Sequence, residues 1–195
     1  VYNVNSQGYT QVNIKGNVMR KPPAEIVASL LAVSTLFVPA HLPPWAIFIS
    51  WAGTFAAGGP KPDTLKKIWI TMPIGAIVAC LIVAGFNQAS QYLSGNGFVL
   101  AQCVILFCLN GAMMSLGRLP AFSFVPGMFF GFASYFATLF GGFGPTPGNL
   151  MVALGATILM NAIGPAYAWL TANLGAHHNH VEEAAPIIRP QRATT

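Results

Sequence analysis

Ile68-Trp69-Ile70-Thr71-Met72-Pro73-Ile74-Gly75-Ala76-Ile77-Val78-Ala79-Cys80-Leu81-Ile82-Val83-Ala84-Gly85-Phe86 contains no Asp, Glu, Lys or Arg. It is long enough to cross the roughly 30 Å hydrocarbon core of a bilayer, which takes about 20 apolar residues as a helix. The stretch follows Asp63, Lys66 and Lys67, and the next charged residue after it is Arg118. Working outward, the other apolar stretches predict spans over 24–42, 43–58, 98–116, 120–140 and 150–171, which with 68–86 makes six.

The basic residues then fall in alternate connections only. Lys15, Arg20 and Lys21 precede the first span, and Lys61, Lys66 and Lys67 lie between the second and third. Arg118 sits between the fourth and fifth, and Arg189 and Arg192 are in the tail. The connections Pro39–Pro44, Asn87–Gly97 and Gly141–Asn149 carry no charged side chain. This positive-inside bias predicts a multi-pass protein with both termini in the cytoplasm.

Composition agrees with an embedded chain. It is 54% hydrophobic and only 7% charged, where a soluble domain carries about 25% charged residues. Six spans use about 120 positions, leaving a polar lead (1–23), a transmembrane helical domain (24–172) and a polar tail (173–195). The net charge of +5 is explained by residues flanking spans, where they set orientation and meet anionic headgroups. Membrane lipid is therefore an expected partner and nucleic acid is not. The lead is rich in Asn and Gln and lacks the basic, apolar, small-residue order of a signal peptide.

Prolines and glycines punctuate the spans. Pro22 and Pro23 open the first, which reaches Leu42 only if the helix kinks at Pro39. Pro43 and Pro44 open the second, making a tight hairpin with His41 near its turn; one long element over 24–57, or a re-entrant piece, is the alternative. Gly58-Gly59-Pro60 ends the second span, and Asp63 can cap the third. Pro73 should kink the third or lie near its start, and Gly164-Pro165 should break the sixth late. Gly127 and Gly131, four apart in the fifth, allow close helix packing and an oligomer face. Trp45, Trp51, Trp69 and Trp169 lie near span ends, as interface aromatics do.

Phe37-Val38-Pro39 recurs as Phe124-Val125-Pro126, each followed by an apolar run ending in Gly-Gly. With the predicted topology the runs cross in opposite directions. Two inverted three-helix repeats, an arrangement that places transporter sites where the halves meet, would have this pattern. Chance recurrence of common membrane-helix residues is the alternative.

No Asp, Glu, Lys or Arg lies deep in a span, which removes the usual mark of a proton relay or ion-coupled transporter. Glu25 suits the first turn of a helix. The uncharged polar residues Gln102, Asn110, Ser134, Thr157 and Asn161 remain. Because Asn and Gln are costly in hydrocarbon, Gln102, Asn110 and Asn161 should point into the bundle, as helix-to-helix bonds or as the lining of a path for a small neutral solute. Cys80, Cys103 and Cys108 should be buried small hydrophobes, and the last two, five apart, do not share a helical face. His177, His178 and His180 are weak metal candidates. No nucleophile–base pair, paired carboxylates or phosphate-cradling loop is present, so neither an enzyme nor a cofactor is expected.

Ser123-Phe124-Val125-Pro126-Gly127-Met128-Phe129-Phe130-Gly131, continuing through Ala133-Ser134-Tyr135-Phe136-Ala137, resembles the bacterial inner-membrane family catalogued as domain of unknown function 1097. Trp45, the Trp51–Ala57 run and Gly58-Gly59 before Leu65-Lys66 are similar to a second block of that family, and the likeness covers roughly 25–172. The lead and the His-containing tail depart from it. The resemblance implies a small integral inner-membrane protein and supplies no catalytic residues. Two functions are expected from the whole: a channel or facilitator for a small neutral solute, assembled as a homo-oligomer, or an accessory subunit of a larger membrane complex.

Overall fold

The computed structural model describes residues 21–176, which form an all-helical bundle. Its helices are α1 Ala24–Ser34, α2 Pro44–Ala56, α3 Pro62–Ala89, α4 Gly95–Leu116, α5 Val125–Phe140 and α6 Leu150–Leu174. Short 3-10 turns at Thr35–Phe37 and Pro120–Phe122 extend α1 and precede α5. Among the described residues, α3, α4 and α6 are long and apolar enough to cross a membrane. The other three are shorter, at 11, 13 and 16 residues for α1, α2 and α5.

The first expected span stops at Phe37 rather than Leu42. Val38 turns extended, and Pro39 offers no N–H and would clash with the carbonyl four residues back, so the helix does not kink and continue. The fifth begins at Val125 rather than Pro120, with Pro126 in its first turn, where a missing N–H costs nothing. The third begins earlier than expected, at Pro62, for the same reason. Pro73 and Pro165 lie inside continuous helices, so the predicted late break in α6 is absent. Gly58 and Gly59 take φ of 106° and 85° after α2, a left-handed turn that other residues rarely make. Asn149 caps α6 by accepting from the Met151 and Val152 amides at 3.0 and 3.1 Å.

Two seams hold the centre, α3 against α5 and α2 against α6. In hydrocarbon the apolar side chains gain little from leaving lipid, so close packing of small residues carries the association. In the first seam Gly75 lies against the Met128 carbonyl and Gly131 against the Met72 carbonyl, and a Cβ at either would overlap that backbone. The seam continues through Ala76, Ala79, Cys80 and Val83 against Tyr135 and Leu139, so the two helices run in the same sense. In the second, Gly164 meets the backbone at Ile47 and Trp51. Ala46, Ile47 and Met160 fill it, and the Trp51 and Tyr167 rings meet edge to face at 5.5 Å.

α1 and α4 are outriders. α1 lies along α6 and α4 along α3. The start of α1 is tied to the end of α6: Lys21 Nζ donates to the Asn173 carbonyl at 2.8 Å, and the Ala176 amide donates to the Pro22 carbonyl at 2.7 Å. At the opposite end of the bundle the Gly144 amide donates to the His41 carbonyl at 2.6 Å, and Trp45 packs edge to face on Phe143 at 4.1 Å. The turn before α2 and the turn before α6 are thus joined.

Candidate functional site

The buried polar side chains among the described residues are all Thr, Ser or Asn. Most are satisfied by their own helix. Thr54, Thr71, Thr138, Thr157 and Thr171 each donate to the carbonyl four residues back, at 2.7–2.8 Å. Ser50 donates to the Ala46 carbonyl at 2.9 Å. A hydroxyl bonded this way can bend a helix and still accept one bond, but it does not demand a partner. Thr157, a predicted path residue, belongs to this satisfied group.

Asn161 differs. It is 3% exposed in the middle of α6, and neither its Nδ2 nor its Oδ1 has a hydrogen-bond partner. Ser134 on α5 is fully buried, and its Oγ is likewise unpartnered, so no bond joins it to Asn161. A buried amide left unbonded costs about 1–3 kcal/mol, which makes Asn161 the least satisfied side chain in the core. It lines a cavity of about 120 Å³ between α3 and α6, together with Ile68, Trp69, Met72, Pro73, Ile158 and Ala162. Trp69, 47% exposed, reaches across this cavity, and its Nε1–H donates to the Ala162 carbonyl at 3.1 Å.

Gln102 and Asn110 are placed elsewhere. Both lie on α4, half-buried, and Met113 is the only fully buried residue of that helix. They do not enter the central bundle, because α4 covers α3 from outside. Cys103 and Cys108 are exposed on the same helix, so only Cys80 matches the expected buried thiol. Gly127 lies against the Thr71 hydroxyl and the Phe124 ring, and Gly131 against Met72. Both glycines are therefore consumed by packing within the chain, not by a face open to another copy. Trp51 is 8% exposed between α2 and α6, inside the bundle instead of in an interface belt. Trp45 Nε1 is also buried without a partner. His177, His178 and His180 lie outside the described residues; within these, no group of three His, Cys, Asp or Glu is placed to hold a metal.

Sequence reasoning picked Asn161 by its polarity but missed Trp69 and Pro73. A signal was present. Proline removes the N–H that would serve the carbonyl four residues earlier, and Trp69 and Asn161 stand four residues before Pro73 and Pro165.

A family model described as "Protein of unknown function (DUF1097)" matches residues 24–176, and the chain belongs to this family. No curated protein and no solved structure matches it.

Proposed function

We propose that this member of the DUF1097 family is a six-span protein of the bacterial inner membrane, both termini cytoplasmic, that lets a small neutral solute pass. The observation that carries this reading is the uncharged polar interior: the buried polar side-chain groups of the described residues are hydroxyls, one amide and the Trp45 indole N–H. Such a lining exchanges hydrogen bonds with a neutral solute without trapping an ion, and it gives a proton no fixed relay.

The proposed topology rests on the one-sided Lys and Arg pattern. It is supported by the joining of the α1 start to the α6 end and of the two charge-free turns to each other. The inverted repeat is supported by the packing. Exchanging α1–α3 with α4–α6 turns α2 on α6 into α5 on α3, and α1 on α6 into α4 on α3, all of them observed. A second sequence echo fits the same exchange. Phe48, Ser50, Trp51 and Thr54 of α2 recur at identical spacing as Phe132, Ser134, Tyr135 and Thr138 of α5, and Ser50, Trp51, Thr54 and their three counterparts are all buried. The Phe-Val-Pro echo is weaker, since Phe37-Val38-Pro39 follows α1 while Phe124-Val125-Pro126 begins α5.

Proteoliposomes test the reading. Shrinking and re-swelling in an uncharged solute such as acetamide should be faster than in protein-free vesicles, and a rate equal to that of empty vesicles excludes passage. A cysteine replacing Ser94 should react with an impermeant reagent from outside, and one replacing the exposed Asp63 should react only after the vesicles are opened.

A subunit role is the second reading, favoured by the outer surface of α4, where Val104, Phe107 and Met114 face away from the chain. Purification from the native membrane in mild detergent should then yield a stoichiometric larger complex.

A further inference from the structure

We infer that the cavity between α3 and α6 is a binding site for one small neutral molecule that both donates and accepts hydrogen bonds, of the primary-amide or urea type. This deepens the solute-passage reading and rests on it. Trp69 and Asn161, which line one cavity, together carry three polar features that lack a side-chain partner or their usual helical donor. The first is the Asn161 side chain, 3% exposed with both polar atoms unpartnered. The second is the main-chain carbonyl of Asn161, whose helical donor would be residue 165, a proline without an N–H. The third is the Trp69 carbonyl, whose donor would be residue 73, again a proline. Trp69 and Asn161 both line the cavity, and they come from different helices. These two prolines are the ones inside the long helices, and each frees the carbonyl of a residue lining this space.

The inventory of groups selects the ligand class. Two carbonyls and Oδ1 accept, and Nδ2 donates. The terminal torsion of an Asn side chain is broad, so either end of the amide can turn toward a guest. A molecule carrying two N–H bonds and one carbonyl complements this set; a hydrocarbon leaves it unsatisfied. The lining residues carry no charge to neutralise an ion, and an unpaired ion is far more costly to desolvate than a neutral group, which favours a neutral guest.

Size selects further. The cavity is about 120 Å³, somewhat smaller than the roughly 150 Å³ cavity that takes benzene, a size for a guest of a few heavy atoms such as acetamide or urea. Trp69 closes one side through its bond to the Ala162 carbonyl and is itself half exposed at the bundle surface.

The test uses the full chain in proteoliposomes and in detergent, with acetamide as the probe. Acetamide should change Trp69 emission saturably, read as the difference between the parent chain and Trp69→Phe, and the change should vanish in Asn161→Leu. Acetamide flux should fall at least about tenfold in Asn161→Leu, the scale set by losing one buried hydrogen-bonding group. Asn161→Ser, which keeps a donor and acceptor in a smaller side chain, should retain part of both signals and stands in if the leucine variant does not fold. Pro73→Ala, which restores a donor for the Trp69 carbonyl, should weaken binding several-fold.

A saturable, Asn161-dependent emission change without flux supports the site and removes the passage reading. Flux in the parent chain that is equal in Asn161→Leu and Asn161→Ser overturns the site while leaving passage intact. The absence of any saturable emission change also overturns it, the cavity then holding water alone.

Discussion

α3 and α4 are neighbours of nearly equal apolarity, yet half of the most apolar stretch is buried in α3 and 6% in α4. Hydropathy reports only that a residue avoids water. It is silent on whether the residue meets protein or lipid, because lipid tails are as apolar as leucine. What separates the helices is the size and shape of particular side chains. α3 carries Gly75, Ala76 and Ala79 on the face that α5 approaches. On α4, Gly111 has open space where a Cβ would be.

Four substitutions probe this contrast, from the largest expected effect to the smallest. Gly131→Leu drives a side chain into the Met72 backbone and should destabilise by more than about 3 kcal/mol, enough to remove folded protein from a detergent melting curve. Met113→Ala empties the one buried position of α4 and should cost about 2–3 kcal/mol, lowering the melting temperature without abolishing folding. Trp69→Phe removes the bond to the Ala162 carbonyl and should cost about 1 kcal/mol by the same measurement. Phe107→Ala, at an outer position of α4 that is 81% exposed, should move stability by less than about 0.5 kcal/mol. A large loss at Phe107 would mean that α4 is covered in the native membrane, and the contrast with α3 would then hold only for the isolated chain.

The long helices were legible because hydropathy and charge placement act over many residues. α4 and α6 end within three residues of their predicted limits. The short α2 also lies within two residues of its predicted limits, whereas the end of α1 and the starts of α3 and α5 were missed by five or more. Whether a helix passes Pro39 or halts at Phe37 turns on one hydrogen bond and one steric contact, which hydropathy does not register. The candidate site was half legible for a related reason. Gln102, Asn110 and Asn161 are equally polar as letters, and only the neighbouring helix decides that Asn161 alone is enclosed. Thr157 looked available, but its hydroxyl is already bonded to the Ala153 carbonyl. Gly127 and Gly131 were recognised as packing positions, and their partner proved to be α3 of the same chain.

The unequal lengths of the outriders bear on the surrounding bilayer. In the six-span arrangement proposed above, α1 with its 3-10 turn covers 14 residues on one flank, about 21 Å at helical rise, while the 22 residues of α4 cover about 33 Å on the other. A hydrocarbon core near 30 Å fits the second and overhangs the first. In that arrangement lipid thins beside α1, or flanking side chains such as Lys21 reach along it to the interface, and each ångström of mismatch costs a fraction of a kcal/mol. The chain should accordingly prefer thin membranes and orient its α1 flank toward locally compressed lipid.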